Sequence, residues 1–275
     1  RDSQGINQGA GDLQLQPADL LRLGYLLLRQ GEWRGRQVIA KKWVAQATRR
    51  QVNTAGAEGY GFGWWVSTDV PGVVQAVGRG GQRLIVWPAK DIIVVMTGGG
   101  FDPGRIAPFL LRSLKSNEAL PANPKAHEQL LARVLEAARP LPIEASAPPL
   151  PPRAALIDGV DHELEPNPLD IQGMQLQFMS RSLAQARFRL RETELVVPVG
   201  LDGAYRIGID AASGNRVAGR GRWVDPDQLL LEIDTIARIN HFTATLNFDD
   251  RGLAGHISER AGLINEITLR GRRLR

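Results

Sequence analysis

The chain has 275 residues, 43% of them hydrophobic, which is enough for two modest domains with cores of their own. It contains no cysteine, and this excludes disulfides, thiolate metal sites and cysteine nucleophiles without fixing a redox compartment. The net charge of +5 is uneven: residues 1–140 hold 18 Lys and Arg against 11 Asp and Glu, and residues 141–275 hold 16 against 18. The basic residues of the first part form no dense run interleaved with aromatics, which argues against nucleic-acid binding. No apolar run approaches the roughly 18 residues of a membrane span. The four histidines, His127, His162, His241 and His256, show no metal-ligand spacing, so neither a metal nor a cofactor is implied. The sequence opens on Arg1 rather than Met, and the reading expects chain before it.

In chain order, Pro17 to Gln30 reads as a helix. Pro17 suits the first turn, Asp19 complements the positive end, Leu20, Leu23 and Leu27 share a face, and Gly31 ends it. A shorter helix follows at Lys41 to Thr48. The period then becomes strand-like over Gly61–Val66, Val73–Val77, Arg83–Trp87 and Ile92–Thr97, with Pro88–Asp91 as a hairpin turn. Helices over Arg105–Lys115 and Lys125–Ala138 complete an α/β or α+β lobe in which helices cover an antiparallel sheet.

The proline-rich stretch from Pro140 to Pro152 cannot continue a helix or occupy a central strand, so residues 140–153 read as a tether between domains 1–139 and 154–275. Beyond it the helical period disappears. Short apolar runs at Met174–Met179, Ala184–Arg191, Leu195–Val199, Tyr205–Ile209, Val217–Trp223, Leu229–Asp234, Phe242–Phe248 and Ile264–Leu269 predict a small all-β barrel or sandwich. In Ala186–Arg191 apolar residues alternate with three arginines, which fits a sheet face turned to solvent.

Several stretches of the first part, taken in order, carry a resemblance. They are Gly9 to Gly24 with its Pro-Ala-Asp-Leu helix start, Gly31-Glu-Trp-Arg-Gly-Arg-Gln-Val-Ile39 with Lys42-Trp-Val44, Gly59-Tyr-Gly-Phe-Gly-Trp-Trp65, and Gly78-Arg-Gly-Gly-Gln-Arg83 before a strand hairpin. This order, over about residues 5–115, resembles the late part of β-lactamase-related serine hydrolases of the class C, esterase and penicillin-binding-protein-like kind. The resemblance implies a third active-site motif at Arg79-Gly80-Gly81, on the strand that edges the cleft. There the family has Lys-Thr-Gly or His-x-Gly, and the amide after the motif, here Gln82, is one of two oxyanion donors. Small residues let the substrate backbone come close. Arg79 departs from the pattern: it stays charged and binds in a fork, but it cannot shuttle a proton, which fits carboxylate binding or structural support. Tyr60, Trp64 and Trp65 are the candidate substrate contacts, with the two adjacent tryptophans expected on opposite faces.

Two family motifs are missing. No serine is followed at the third position on by lysine, as in Ser113-Leu-Lys-Ser116, and none of Tyr25, Tyr60 and Tyr205 is followed two places on by Asn or Ser. The leading expectation is therefore a carboxy-terminal piece of a serine hydrolase that cleaves an ester, amide or lactam bond through an acyl-serine. Its nucleophile would lie outside this chain, so the chain alone would be inactive, and its partners would be a small-molecule substrate and the remainder of the same domain. The rival expectation is a non-catalytic binding or scaffold protein on a degenerate hydrolase fold, with a ligand-binding β domain. Relatives are often exported by bacteria, and the resemblance favours a periplasmic or secreted setting.

Overall fold

A computed structural model describes residues 4–6, 11, 13–56, 58–118, 120–139, 147–236, 238–262 and 264–274. Residues 140–146 of the expected tether, and Gly9, Ala10 and Asp12 of the first motif, lie outside them. Contacts divide the chain into two compact units, Arg1–Asn117 and Glu118–Arg275.

The first unit opens with helix α1 (Pro17–Leu28), which has proline in its first turn. It ends where Gln30 and Gly31 take positive φ and the Gly31 amide donates to the Leu26 carbonyl at 2.7 Å, closing the last turn. A two-stranded ribbon, β1 (Glu32–Trp33) with β2 (Arg36–Gln37), and helix α2 (Lys41–Ala47) follow. The main sheet has the order β3 (Val52–Asn53), β4 (Glu58–Tyr60), β5 (Trp65–Ser67), β6 (Val74–Val77), β7 (Arg83–Trp87) and β8 (Ile92–Met96), and every neighbouring pair is antiparallel. Leu20, Leu23, Leu27 and Leu28 of α1 pack with Trp64, Val66, Ala76, Ile93 and Val95 around the buried Val74, Leu84 and Val86. The helix comes so close that a Cβ on Gly24 would sit 2.6 Å from Ile93 and 2.8 Å from Leu84. Helix α3 (Ala107–Ser113) closes the unit.

The expected strand Gly61–Val66 is a hairpin instead. The Gly61 amide bonds the Trp64 carbonyl at 2.8 Å and Gly63 holds a φ of 83°, so Tyr60 and Trp65 end up paired across β4 and β5. Three glycines within five residues marked a turn more strongly than the aromatics marked a strand.

The second unit begins with helix α4 (Pro124–Ala137), capped by the Asn123 side chain on the Ala126 amide, and the short helix α5 (Pro152–Ile157). Pro152, read from sequence as part of an extended tether, starts α5, where a missing N–H costs nothing. Ten strands follow: β9 (Asp161–Leu164), β10 (Gly173–Phe178), β11 (Leu183–Arg189), β12 (Glu194–Gly200), β13 (Arg206–Ile209), β14 (Arg216–Asp225), β15 (Gln228–Thr235), β16 (His241–Phe248), β17 (Gly252–Glu259) and β18 (Ile267–Arg273). Strand β9 pairs with both β10 and β18, and a short parallel pairing of Val199–Gly200 with Gly219–Arg220 joins β12 to β14. Together these pairings close nine strands into a barrel, with β13 attached alongside β14. At the closure a Cβ on Gly219 would lie 2.6 Å from the Pro198 carbonyl oxygen, so only glycine lets β12 cross there.

Alternation along the strands fills the barrel with Leu, Ile, Val, Phe, Met and Ala side chains, among them Leu229, Leu231 and Ile233 of β15 and Ala244, Leu246 and Phe248 of β16. Ile157 of α5 joins this core. Arg153 ties α5 to the β14–β15 and β16–β17 turns through Asp227 (2.7 Å) and Asp250 (2.8 Å). Leu231 is 1% exposed, so Leu231→Ala, which deletes packing without easy collapse, is expected to cost about 2–5 kcal/mol in a denaturant titration.

Candidate functional site

Strands β6 and β7 are joined by the segment Gly78–Gln82. Arg79–Gly81 form one turn of 3-10 helix in which Gly80 (φ 74°) and Gly81 (φ 98°) both hold left-handed backbone. The resemblance placed these residues on a strand. The structure places them in the turn between two strands, because two successive positive-φ residues cannot continue a pleated ladder.

The turn is clamped from the end of β8. The register Arg83 opposite Met96 carries on to Gln82 opposite Thr97, one residue short of Gly98. There the Gln82 side chain accepts from the Gly98 amide at 3.2 Å and donates to the Gly98 carbonyl. The Gly80 carbonyl accepts from the amides of Gly100 (2.9 Å) and Phe101 (3.4 Å), and the Gly78 amide donates to the Gln82 carbonyl at 3.0 Å. Arg83 adds a bond from its guanidinium to the Gln82 carbonyl at 2.9 Å. A Cβ on Gly81 would lie 2.6 Å from the Phe101 carbonyl oxygen and 2.9 Å from its ring. The 3-10 turn aims the Gln82 amide back toward the Arg79 carbonyl, but among the described residues it closes no hydrogen bond of normal geometry. A turn this constrained, followed by an uncommitted N–H, can present that N–H to an anion without reorganising.

The other sequence candidates separate by face. Trp64 turns to the α1 side and packs against Val74, Leu84 and Val86. Trp65 and Tyr60 lie on the opposite face, their rings 5.0 Å apart at 75°. Cross-strand register sets Trp65 beside Gln75, and Gln75 beside Ile85 of β7. Gln75 also donates to the Glu58 carboxylate, which shares the Tyr60 face. Arg79 is exposed. Gly98, Gly100 and Phe101 were not singled out as site residues from sequence; the signal was available, since a glycine run right after β8 must abut the turn before β7 in an antiparallel hairpin.

A second polar cluster stands on the outer face of the barrel. Glu232 of β15 accepts from Tyr205 Oη (2.9 Å) and Arg220 Nε (2.7 Å), and the Arg220 guanidinium lies 4.6 Å from the centre of the Tyr205 ring. Asp202 pairs with Arg206 at 2.5 Å. A cavity of about 260 Å³ beside the cluster is lined by Gly203, Arg220, Gly221, Arg222, Leu230 and Glu232. Burial pulls the Glu232 carboxyl upward, but hydrogen bonds from Arg220 and Tyr205 outweigh it and hold the group below the usual carboxylate range. Burial, with the bond to Glu232, pushes the Tyr205 phenol up to about 12.

Residues 1–113 match the family model described as Beta-lactamase. Among solved structures, a fatty acid-binding protein from brain tissue of Drosophila melanogaster, without citrate inside, aligns over 42% of this chain and 98% of its own at 11% identity and a TM-score of 0.32. The octameric penicillin-binding protein homologue from Pyrococcus abyssi aligns over 92% of this chain at 13% identity and a TM-score of 0.29, and the match spans 46% of that protein.

Two tests follow from the geometry. Gly81→Ala forces a side chain into left-handed backbone against the Phe101 carbonyl, and it is expected to destabilise the first unit by about 1–3 kcal/mol in chemical denaturation. Tyr205 keeps its proton in the folded barrel above the pH of about 10 at which the unfolded phenol ionises. Its contribution is therefore complete below pH 10 and is lost as the pH rises toward about 12. Tyr205→Phe should cost about 1 kcal/mol at neutral pH and flatten the alkaline fall in melting temperature. The matched family model, with an antiparallel sheet covered on one face by α1, gives residues 1–113 a β-lactamase-related fold.

Proposed function

We propose that the first unit contributes one wall of the active cleft of a serine hydrolase that cleaves an ester, amide or lactam bond through an acyl-serine. The observation that carries this reading is the Gly78–Gln82 turn, which falls within the β-lactamase-matched residues and leaves the Gln82 amide without an acceptor among the described residues. In this reading the Gln82 N–H donates to the oxyanion that develops when the substrate carbonyl becomes tetrahedral. Gly80 and Gly81 keep the approach clear of side chains, and Arg79 attracts a substrate carboxylate or steadies the cleft without moving a proton. Tyr60 and Trp65 form an aromatic surface on the sheet face away from α1, and Trp64 supports that sheet from the core side. In this reading the hydrolase-like part precedes the proline-rich segment 140–153, and the barrel follows it.

No Ser-x-x-Lys occurs in the 275 residues, so the nucleophile of this reaction comes from outside them. The 275-residue chain, incubated with a fluorescent fluorophosphonate or penicillin, should stay unlabelled, while a longer product of its gene that contains Ser-x-x-Lys should label at that serine. In such an active form Gly81→Val should lower kcat/KM by about 100-fold or more, the loss typical of a displaced oxyanion donor. Labelling of a serine within the chain alone would falsify the assignment. A labelled longer form indifferent to Gly81→Val would remove the oxyanion role.

The second reading, a scaffold that has kept the fold and lost the chemistry, rests on Arg79 standing where the related hydrolases carry Lys or His. Failure of every longer form to label, with ligand binding retained, would favour it.

A further inference from the structure

Strand β13 is an edge that the barrel does not use. The bond from the Asp210 amide to the Asn215 carbonyl (2.9 Å) sets the phase of its ladder with β14, so Arg206 and Gly208 bond β14 while Ile207 and Ile209 turn their N–H and C=O groups the other way. Among the described residues no backbone group takes them. Strand β12 passes beneath and cannot complete the ladder: a Cβ on Gly208 would strike the ring of Pro198, and proline has no N–H to give. The side chains of Ile207 and Ile209 are unusually open for their type, at 62% and 69% exposure. A free edge is normally blunted by shortness, charge, proline or a bulge; Arg206-Ile-Gly-Ile209 is short and begins on a charge, but it has no proline and no bulge and it exposes two isoleucines.

The sequence of the edge is self-complementary about Gly208, isoleucine mirroring isoleucine and arginine mirroring aspartate: Arg206, Ile207, Gly208, Ile209, Asp210. We propose that β13 pairs with β13 of a second copy, antiparallel about a two-fold axis at Gly208, so that the outer sheet runs on from one barrel into the other. Gly208 then faces Gly208 of the partner at the closest point, where no side chain obstructs. Ile207 opposes Ile209 of the partner in a hydrogen-bonded pair, and the symmetric pair repeats it, which satisfies the free N–H and C=O groups of both edges. The isoleucines of both copies meet on the outer face. On the other face Arg206 of each copy stands opposite Asp210 of its mate. Arg206 already donates to Asp202 (2.5 Å) and to the Ala204 carbonyl (3.2 Å), and Asp210 already accepts from the Ala212 and Ser213 amides (3.2 Å each) and from Ser213 Oγ, so the cross-copy pair adds a charge attraction to bonds that each group keeps. Parallel pairing would set Arg206 beside Arg206 and Asp210 beside Asp210, and an antiparallel shift of one residue would lose both the charge match and the isoleucine match, so the register is specified.

An interface this short belongs to the weak end of protein association, with a dissociation constant on the order of 100 μM. In sedimentation equilibrium the full chain should move from one chain mass toward two between about 10 μM and 1 mM. Ile207→Lys with Ile209→Lys should abolish the change, shifting the constant at least tenfold. Should the lysine pair impair folding, Ile207→Thr with Ile209→Thr keeps strand propensity and should weaken association in the same direction. The chain has no cysteine, so disulfide trapping is clean. A mixture of Ile207→Cys and Ile209→Cys chains should give several-fold more covalent dimer on oxidation than either variant alone. A chain that stays monomeric at 1 mM, a dimer indifferent to both double variants, or trapping no better in the mixture than in the single variants overturns the proposal.

Discussion

The register of β7 against β8 is the constraint on which the candidate site depends. Arg83 opposite Met96 leaves Gln82 opposite Thr97, and the side chain of Gln82 reaches one residue further to bond both backbone groups of Gly98. The same register delivers the amides of Gly100 and Phe101 to the Gly80 carbonyl. A slip of one residue would turn Leu84 and Val86 out of the core and dissolve these bonds together. Hydrophobic burial beneath α1 therefore fixes a polar turn at the sheet end, and packing becomes positioning. The turn needs glycine twice, for left-handed backbone and for the closeness of Phe101.

The second unit is organised by a different rule. Among the described residues no helix layer covers the barrel. Its apolar residues reach the interior by strict alternation, and closure rests on the short contact of β12 with β14 across Gly219. Polar residues collect on the outer face, where Glu232, Arg220 and Tyr205 satisfy one another. Where closure diverts β12 beneath β13, an edge is left over, and that edge carries isoleucine where solvent would favour charge. Position in the barrel, not composition, makes this strand distinct.

Much of this was legible in the sequence. Helix α1 was marked at both ends by Pro17 and Gly31, and β7 and β8 by runs of apolar residues about Pro88–Asp91. Strands β9 and β17 were missed for physical reasons. β9 is four residues long and buries His162, whose polarity hides the alternation, while β17 carries Gly252 and Gly255 at buried positions where strand neighbours come too close for a side chain. The hairpin inside Gly59–Trp65 was hidden by aromatic residues that favour strands on either side of its turn. The candidate site was legible as a motif and not as a geometry. Sequence pointed to Arg79, Gly80, Gly81 and Gln82, but the clamp by Gly98, Gly100 and Phe101 is a long-range contact that needs the register first.

The most direct test of the account is amide hydrogen exchange at residue resolution on the native chain. The Gln82 N–H, uncommitted among the described residues and held at the end of a rigid turn, should exchange far faster than the Gly100 N–H, which is bonded to the Gly80 carbonyl at 2.9 Å. Protection of Gln82 equal to that of Gly100 would mean that its hydrogen is already spent inside the fold, and the turn could not offer it to an oxyanion.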